Sequence, residues 1–431
     1  MAITVGLISL GCSKNRVDSE LILGHLRKAG FRITADEAEA EVIIINTCGF
    51  IEPAKEESIG TILEMAQYKT VGKCRLLVVA GCLSQRYPNE LREEIPEVDI
   101  FWGVKDQGGL VKAVSDALGV SYSGCGEARL LTTPPYSAYL RIADGCDNRC
   151  TYCAIPLIRG GRVSVPMEKL IEEAEELAEN GVRELTVIAQ DTSAYGSDIY
   201  GKPMLSELLR RLAKIEKLHW IRVLYTYPNT VDEELIDTII AEPKLVNYID
   251  MPIQHIHPDM LNAMNRHGSA EHIRHITEYI REKSSDFILR TTVITGFPGE
   301  TEEQFVQLTD FLQSHSFDRL GAFAYSQEDD TPAAEMPNQI DEDIKQRRLD
   351  EVMALQQGIS LAYNQKRIGT VTEALIEQVS GDIAYGRTYA EAPEVDGTIM
   401  FSLKNKGLKP GDFTMVRITG AGPYDMEGEE I

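Results

Sequence analysis

Cys146-Asp147-Asn148-Arg149-Cys150-Thr151-Tyr152-Cys153 sets three thiols within eight residues, just after an apolar run at 138–143. Soft thiolates favour iron–sulfur clusters, zinc or copper(I). A structural zinc site closes with a fourth Cys or His, often in a second C-x-x-C pair, and no such pair is near. Three thiolates around a 4Fe–4S cluster leave one iron open for a substrate or cofactor. A zinc site or buried thiols is the competing reading.

Working outward, apolar runs at 138–143, 184–190, 220–226, 246–252, 287–294 and 319–325 alternate with helical patterns such as 166–179 and 302–314. Six βα units predict a partial TIM-like barrel, with active groups at the carboxyl ends of its strands. The thiol loop follows the first of those strands. A charged amphipathic helix is expected over 341–367. Upstream, 1–118 alternates strand and helix: ITVGLISLG, EVIIINT and RLLVVAG, each followed by a helical stretch (17–29, 53–68, 88–94). That pattern predicts a parallel sheet in an α/β domain. Downstream, 366–431 has short β-rich runs broken by glycines, which reads as a small antiparallel β-barrel. A turn-rich segment with Gly124, Gly126, Pro134 and Pro135 makes 119–136 a linker, leaving 137–365 as the core.

Each N-terminal strand runs into a cysteine: Cys12, Cys48 and Cys82. Ligands of open α/β sheets bind beyond the carboxyl ends of the strands, so these three are expected to converge at one sheet edge. Taken singly, each reads as a small buried hydrophobe. Cys74 and Cys125 belong to neither set and read as structural.

Composition sets the frame for these thiols. The 43 % hydrophobic and 26 % charged content is that of an ordinary globular protein. The apolar start lacks a basic segment and a cleavage site, so it reads as a buried strand and the address as cytoplasmic. A reducing cytosol disfavours disulfides and favours metal or catalytic cysteines. The formal charge of −24 repels a phosphate backbone and suits a basic partner.

CDNRCTYC is similar to the C-x-x-x-C-x-aromatic-C motif of the radical S-adenosylmethionine superfamily. With Cys12, Cys48 and Cys82, and with a terminal barrel of the type called TRAM, the whole chain resembles the methylthiotransferases. The resemblance implies two 4Fe–4S clusters, one on Cys146, Cys150 and Cys153 and one on Cys12, Cys48 and Cys82. It implies two molecules of S-adenosylmethionine per turnover, one cleaved to a radical and one donating methyl. Tyr152 is implied beside the adenine, and an external sulfur donor and electron donor are needed. SLGCSKNRVDSE (9–20), QDTSAYG (190–196), MPIQH (251–255) and GRTYAEAPEVDG (386–397) resemble the branch that modifies an aspartate of small-subunit ribosomal protein S-twelve. The tRNA branch tends to have Gln at Ser13 or Lys14. Two departures are Ile256-His257 and Asp330.

The terminal barrel, 365–431, holds seven Lys/Arg against eleven Asp/Glu, which favours a basic ribosomal protein over tRNA. Weaker candidates for cofactor contact are Gln190, Asp191, Arg222 and the TGFPGET turn (295–301). Lys14, Asn15, Asp18 and Glu20 are candidates to tune the N-terminal cluster, with helix capping by Asp18 or Ser19 as the plain alternative. His255 reads as a packed residue. A tRNA methylthiotransferase and a non-catalytic iron–sulfur protein of the ribosome are the two alternatives in function.

Overall fold

The computed structural model describes residues 2–431 apart from 123 and 125–128; Cys125 and Gly126 lie outside the described residues. The N-terminal sheet has strands β1 (Thr4–Ser9), β2 (Arg32–Ile33), β3 (Val42–Thr47), β4 (Leu76–Gly81) and β5 (Ile100–Phe101), all parallel, in the order β2-β1-β3-β4-β5. β3 and β4 are apolar and buried along almost their whole length, as strands covered on both faces must be. Alternate residues serve opposite faces. Val42, Ile44 and Val78 pack with Ile22 and Leu26 of helix α1 (Ser13–Lys28), while Ile43, Ile45 and Val79 pack with Ile62 and Met65. Strand order reverses between β1 and β3, so a crevice opens at their carboxyl ends.

The core sheet has six parallel strands, as the sequence predicts: β6 (Ser137–Arg141), then, after a short hairpin of β7 (Ala143–Asp144) and β8 (Val163–Ser164), β9 (Glu184–Ile188), β10 (Trp220–Val223), β11 (Leu245–Asp250), β12 (Ile288–Thr295) and β13 (Arg319–Ala324). Their order is β13-β12-β11-β10-β9-β6. Leu140, Leu185, Ile221, Ile249 and Leu289 face the surrounding helices. The N-terminal unit is clamped to this core by Glu328, which is almost fully buried. It meets Arg86 at 2.9 Å and Lys55 at 3.2 Å and accepts from the Glu52 N–H.

The terminal barrel is closed, in the order β14-β15-β16-β18-β17: β14 (Val371–Ser380), β15 (Ile383–Thr388), β16 (Ile399–Ser402), β17 (Phe413–Ala421) and β18 (Met426–Glu430). It is not wholly antiparallel. β18 returns from β17 to lie beside β16 in the same direction, a non-local pairing invisible in short β-rich runs.

The segment after β15 enters the concave face of the core sheet. The Tyr389 carbonyl accepts from Arg222, Glu394 accepts from the Tyr139 hydroxyl, and Asp396 accepts from the Tyr248 hydroxyl. Glu184, at the start of β9, pairs with Arg387 at 2.6 Å and Arg222 at 3.5 Å; Glu391 pairs with Arg367 at 2.7 Å and Arg319 at 3.1 Å. Burial alone raises a carboxyl pKa, but these arginines hold both carboxyls down to about 2. The terminal barrel and the segment after β15 thus pack on the concave face of the core sheet, while the N-terminal unit meets the core beyond the carboxyl ends of β6, β10 and β13. The helix Glu342–Lys366 braces the join, Ser360 donating to the Asp318 carbonyl and Asn364 to that of Gly422. Among the described residues, no helix is long and apolar enough to cross a membrane.

Candidate active site

The thiol loop leaves the core just beyond β6 and is held by backbone bonds on several sides. The Cys146 N–H donates to the Gly160 carbonyl, the Thr151 N–H to that of Met264, and the Ala333 N–H to that of Thr151. Asn148 donates to Asp191 Oδ2 at 2.8 Å, and Gln190 to Asp144 Oδ1 at 2.9 Å. Asp191 and Gln190 therefore position this loop from the end of β9. Arg266 lies 3.9 Å from Cys150 Sγ and 3.2 Å from the Tyr152 hydroxyl, and its guanidinium stacks 4.3 Å from the Tyr227 ring centre. Tyr152 also packs beside Met260, Met264 and Phe297. Burial pushes the thiols of Cys146 and Cys153 up to about 11 and about 12.

Cys12 and Cys48 follow β1 and β3, and Cys82 opens the short helix after β4, so three adjacent strands bring the three together. Two glycines allow this. Gly11 has φ +85°, and a Cβ there would lie 3.1 Å from Cys48 Sγ; Gly81 has φ +99°, and a Cβ there would meet Thr47 backbone. Burial pushes Cys82 up to about 12 and raises Cys48. Burial works against the Cys12 thiolate too, but Lys14, the Asn15 N–H and Arg159 outweigh it and lower its pKa. Cys12 is exposed, Cys48 is half-buried and Cys82 is buried.

Arg159 joins the two sites. Six residues past Cys153, it is buried, reaches Asp18 of α1 at 2.8 Å and Asp144 at 3.1 Å, and lies 3.7 Å from Cys82 Sγ. Asp18 also takes Arg141 at 2.5 Å. Asn15 donates to the Leu10 carbonyl and fixes the approach of Cys12, while Glu20 binds Arg129. Neither Asp18 nor Ser19 caps the helix; Cys12 occupies that position with no side-chain cap.

Other expectations need correction or detail. Arg222 is fully buried between Glu184 of β9, the Tyr248 ring of β11 and the Tyr389 carbonyl, so the structure places it against the join with the terminal barrel, away from the thiol loop. In the TGFPGET turn, the Gly296 N–H donates to Glu300, which pairs with Arg348 and faces buried His255 at 3.2 Å. Ile256 is core, His257 caps the next helix, and Asp330 takes φ +60°, the backbone a glycine adopts freely. Cys74 is buried and structural, donating to the Leu76 carbonyl. Sequence reasoning missed Arg141, Arg159 and Arg266, which stand in no motif and become legible only through their partners.

The donor sets fit 4Fe–4S clusters. Each offers three thiols, with no fourth ligand among the described residues. Among the described residues, no three His, Cys, Asp or Glu stand close enough to hold one metal ion. A tetrahedral zinc needs Zn–S bonds of about 2.3 Å, whereas a cubane spreads its ligands wider. Gln190 Oε1 and Gln254 Oε1 are buried acceptors without a partner among the described residues, as expected beside a polar cofactor.

Comparison with known proteins agrees with this geometry. Residues 140–312 match the radical SAM superfamily model, 368–431 the TRAM domain, and 4–103 an uncharacterized protein family, UPF0004. In fold, the chain is similar to the radical S-adenosylmethionine methyltransferase TsrM from Kitasatospora setae (TM-score 0.56, 15 % identity, 95 % of this chain and 83 % of that one). The sheets, loop and terminal barrel are those of a radical SAM enzyme. The sequence is 49 % identical to the ribosomal protein uS12 methylthiotransferase RimO of Desulforamulus reducens over 99 % of both chains. It is 48 % identical to that of Pelotomaculum thermopropionicum over 100 % of both. The chain belongs to the RimO family of radical SAM methylthiotransferases.

Proposed function

We propose that this enzyme adds a methylthio group to the β-carbon of an aspartate of ribosomal protein uS12, the S-twelve protein of the small subunit. The observation that carries this is the pairing of two three-cysteine sites, joined through Arg159, at the carboxyl ends of two adjacent sheets. Cys146, Cys150 and Cys153 would hold one 4Fe–4S cluster, and Cys12, Cys48 and Cys82 the other. When bound, these clusters and two molecules of S-adenosylmethionine supply the radical, the sulfur and the methyl group.

The chain's own residues bind, orient and enclose. Asn148 and Asp191 set the pitch of the thiol loop, Arg266 and Tyr152 close one side of Cys150, and Gln190 presents a free acceptor. Asp18 and Arg159 fix the distance between the sites. The reading divides the chain into a cluster domain at 1–118, a linker at 119–136, a radical core at 137–365 and a TRAM barrel at 366–431. It implies a cytoplasmic address, where ribosomes work, and external sulfur and electron donors.

The acidic terminal barrel favours a basic protein over tRNA. An anaerobic reaction of reconstituted enzyme with S-adenosylmethionine, reductant, sulfide, uS12 peptide and unmodified tRNA tests this. Mass spectrometry is expected to find the adduct on the peptide aspartate. An adduct on tRNA alone would assign the other branch. Iron-loaded protein that makes no 5′-deoxyadenosine would leave only a binding protein.

A further inference from the structure

Among the described residues, Lys14 is a buried lysine whose Nζ has no hydrogen-bond acceptor. It makes no hydrogen bond or ion pair, although it is 8 % exposed. Its Nζ lies 3.2 Å from the Tyr225 ring centre, and its charge is felt at Cys12, whose pKa it lowers. A π-face attracts a cation but accepts none of its three N–H donors in the usual way. The placement is also electrostatically adverse. Lys14 stands in the first turn of α1, where the helix dipole favours negative charge, and that turn has no acidic residue. The other buried lysines, Lys55 and Lys345, each meet a carboxylate.

The support beneath Lys14 is strained. Tyr225 has φ +61°, uncommon for a bulky residue. Its N–H donates to Asp250 Oδ2 and its carbonyl accepts from the Thr192 N–H, which over-determine that conformation. Its hydroxyl stands 3.4 Å from Ser13 Oγ. Two residues on, Tyr227 carries Arg266 beside Cys150. The Tyr225-Thr226-Tyr227 segment therefore touches both cysteine sites, with Lys14 two residues from the exposed Cys12. Strain of this sort marks a site whose geometry matters more than its stability.

We infer that Lys14 is the specificity-determining residue that receives the carboxylate of the substrate aspartate, setting its β-carbon between the two cysteine sites. This rests on the uS12 reading above. A cation whose N–H donors have no acceptor is completed by an anionic oxygen, and an aspartate side chain supplies one where asparagine does not. A charge-assisted bond of this kind contributes enough for about a tenfold preference.

The test is binding of two labelled uS12 loop peptides to the reconstituted holoenzyme, one with the target aspartate and one with asparagine there. Iron content and cluster EPR spectra are recorded for each variant. Wild type is expected to bind the aspartate peptide about tenfold more tightly. Compared at matched iron content, Lys14→Met should bind both peptides alike with asparagine-peptide affinity close to that of wild type; Lys14→Arg should keep most of the preference. A Lys14→Met protein that keeps the preference overturns the inference, as does a Lys14→Arg protein with intact clusters and none. Wild type that binds neither peptide overturns the uS12 reading itself, and this inference falls with it.

Discussion

The two cysteine sites reach the same donor count by opposite routes. Cys146, Cys150 and Cys153 come from one loop, shaped by its own turns and by Asp191 from outside. Cys12, Cys48 and Cys82 come from three strand ends, and only the parallel order of β1, β3 and β4 brings them together. The first site depends on a loop, the second on a sheet. Their surroundings differ in charge as well. Beside Cys82, Arg159 is matched by Asp18 and Asp144; beside Cys150, Arg266 is matched by no carboxylate among the described residues.

That contrast makes unequal predictions for two similar substitutions. Arg159→Leu leaves the half-buried Asp144 without its cation and Asp18 with Arg141 alone, and should cost about 3 kcal/mol, read by chemical denaturation under anaerobic conditions. Arg266→Leu strands only the Tyr152 hydroxyl and the Pro252 carbonyl, and should cost about 1–2 kcal/mol. Equal losses would mean that the carboxylates near Arg159 are not what distinguishes the sites.

The smallest effect at neutral pH concerns neither site. Glu184 and Glu391 titrate at about 2 when folded, against an ordinary value of 4.5. Their contribution is present above the unfolded value and is lost as pH falls through the folded one. Pepsin digestion between pH 4.5 and 2 should therefore release the terminal barrel progressively more easily. Release that is independent of pH across that window would show that these carboxylates do not secure it.

Much of this was legible in the residues. Apolar runs located all six core strands, most plainly β9 and β10, which are buried throughout and leave no polar alternation to misread; β13 is only half-buried. The thiol loop was plain from spacing, since its ligands are local. The second site was legible only as strand ends, and its convergence followed from sheet topology. What the sequence hid was partnership. Arg222 lies near the end of β10, where cofactor contacts cluster, yet the concave face it lines is filled by the segment around Tyr389. The parallel pairing of β16 with β18 and the bridge made by Arg159 are likewise contacts across long separations, which no local pattern encodes.

We propose that the thiol-loop site of Cys146, Cys150 and Cys153 makes the radical and the strand-end site of Cys12, Cys48 and Cys82 delivers sulfur. Comparing Cys150→Ala with Cys48→Ala tests it most directly, with 5′-deoxyadenosine and methylthiolated uS12 peptide measured in the same anaerobic reaction. Cys150→Ala should lose both products; Cys48→Ala should still cleave S-adenosylmethionine but leave the peptide unmodified. Methylthiolated peptide from Cys48→Ala, or 5′-deoxyadenosine from Cys150→Ala, would contradict the division of labour between the two sites.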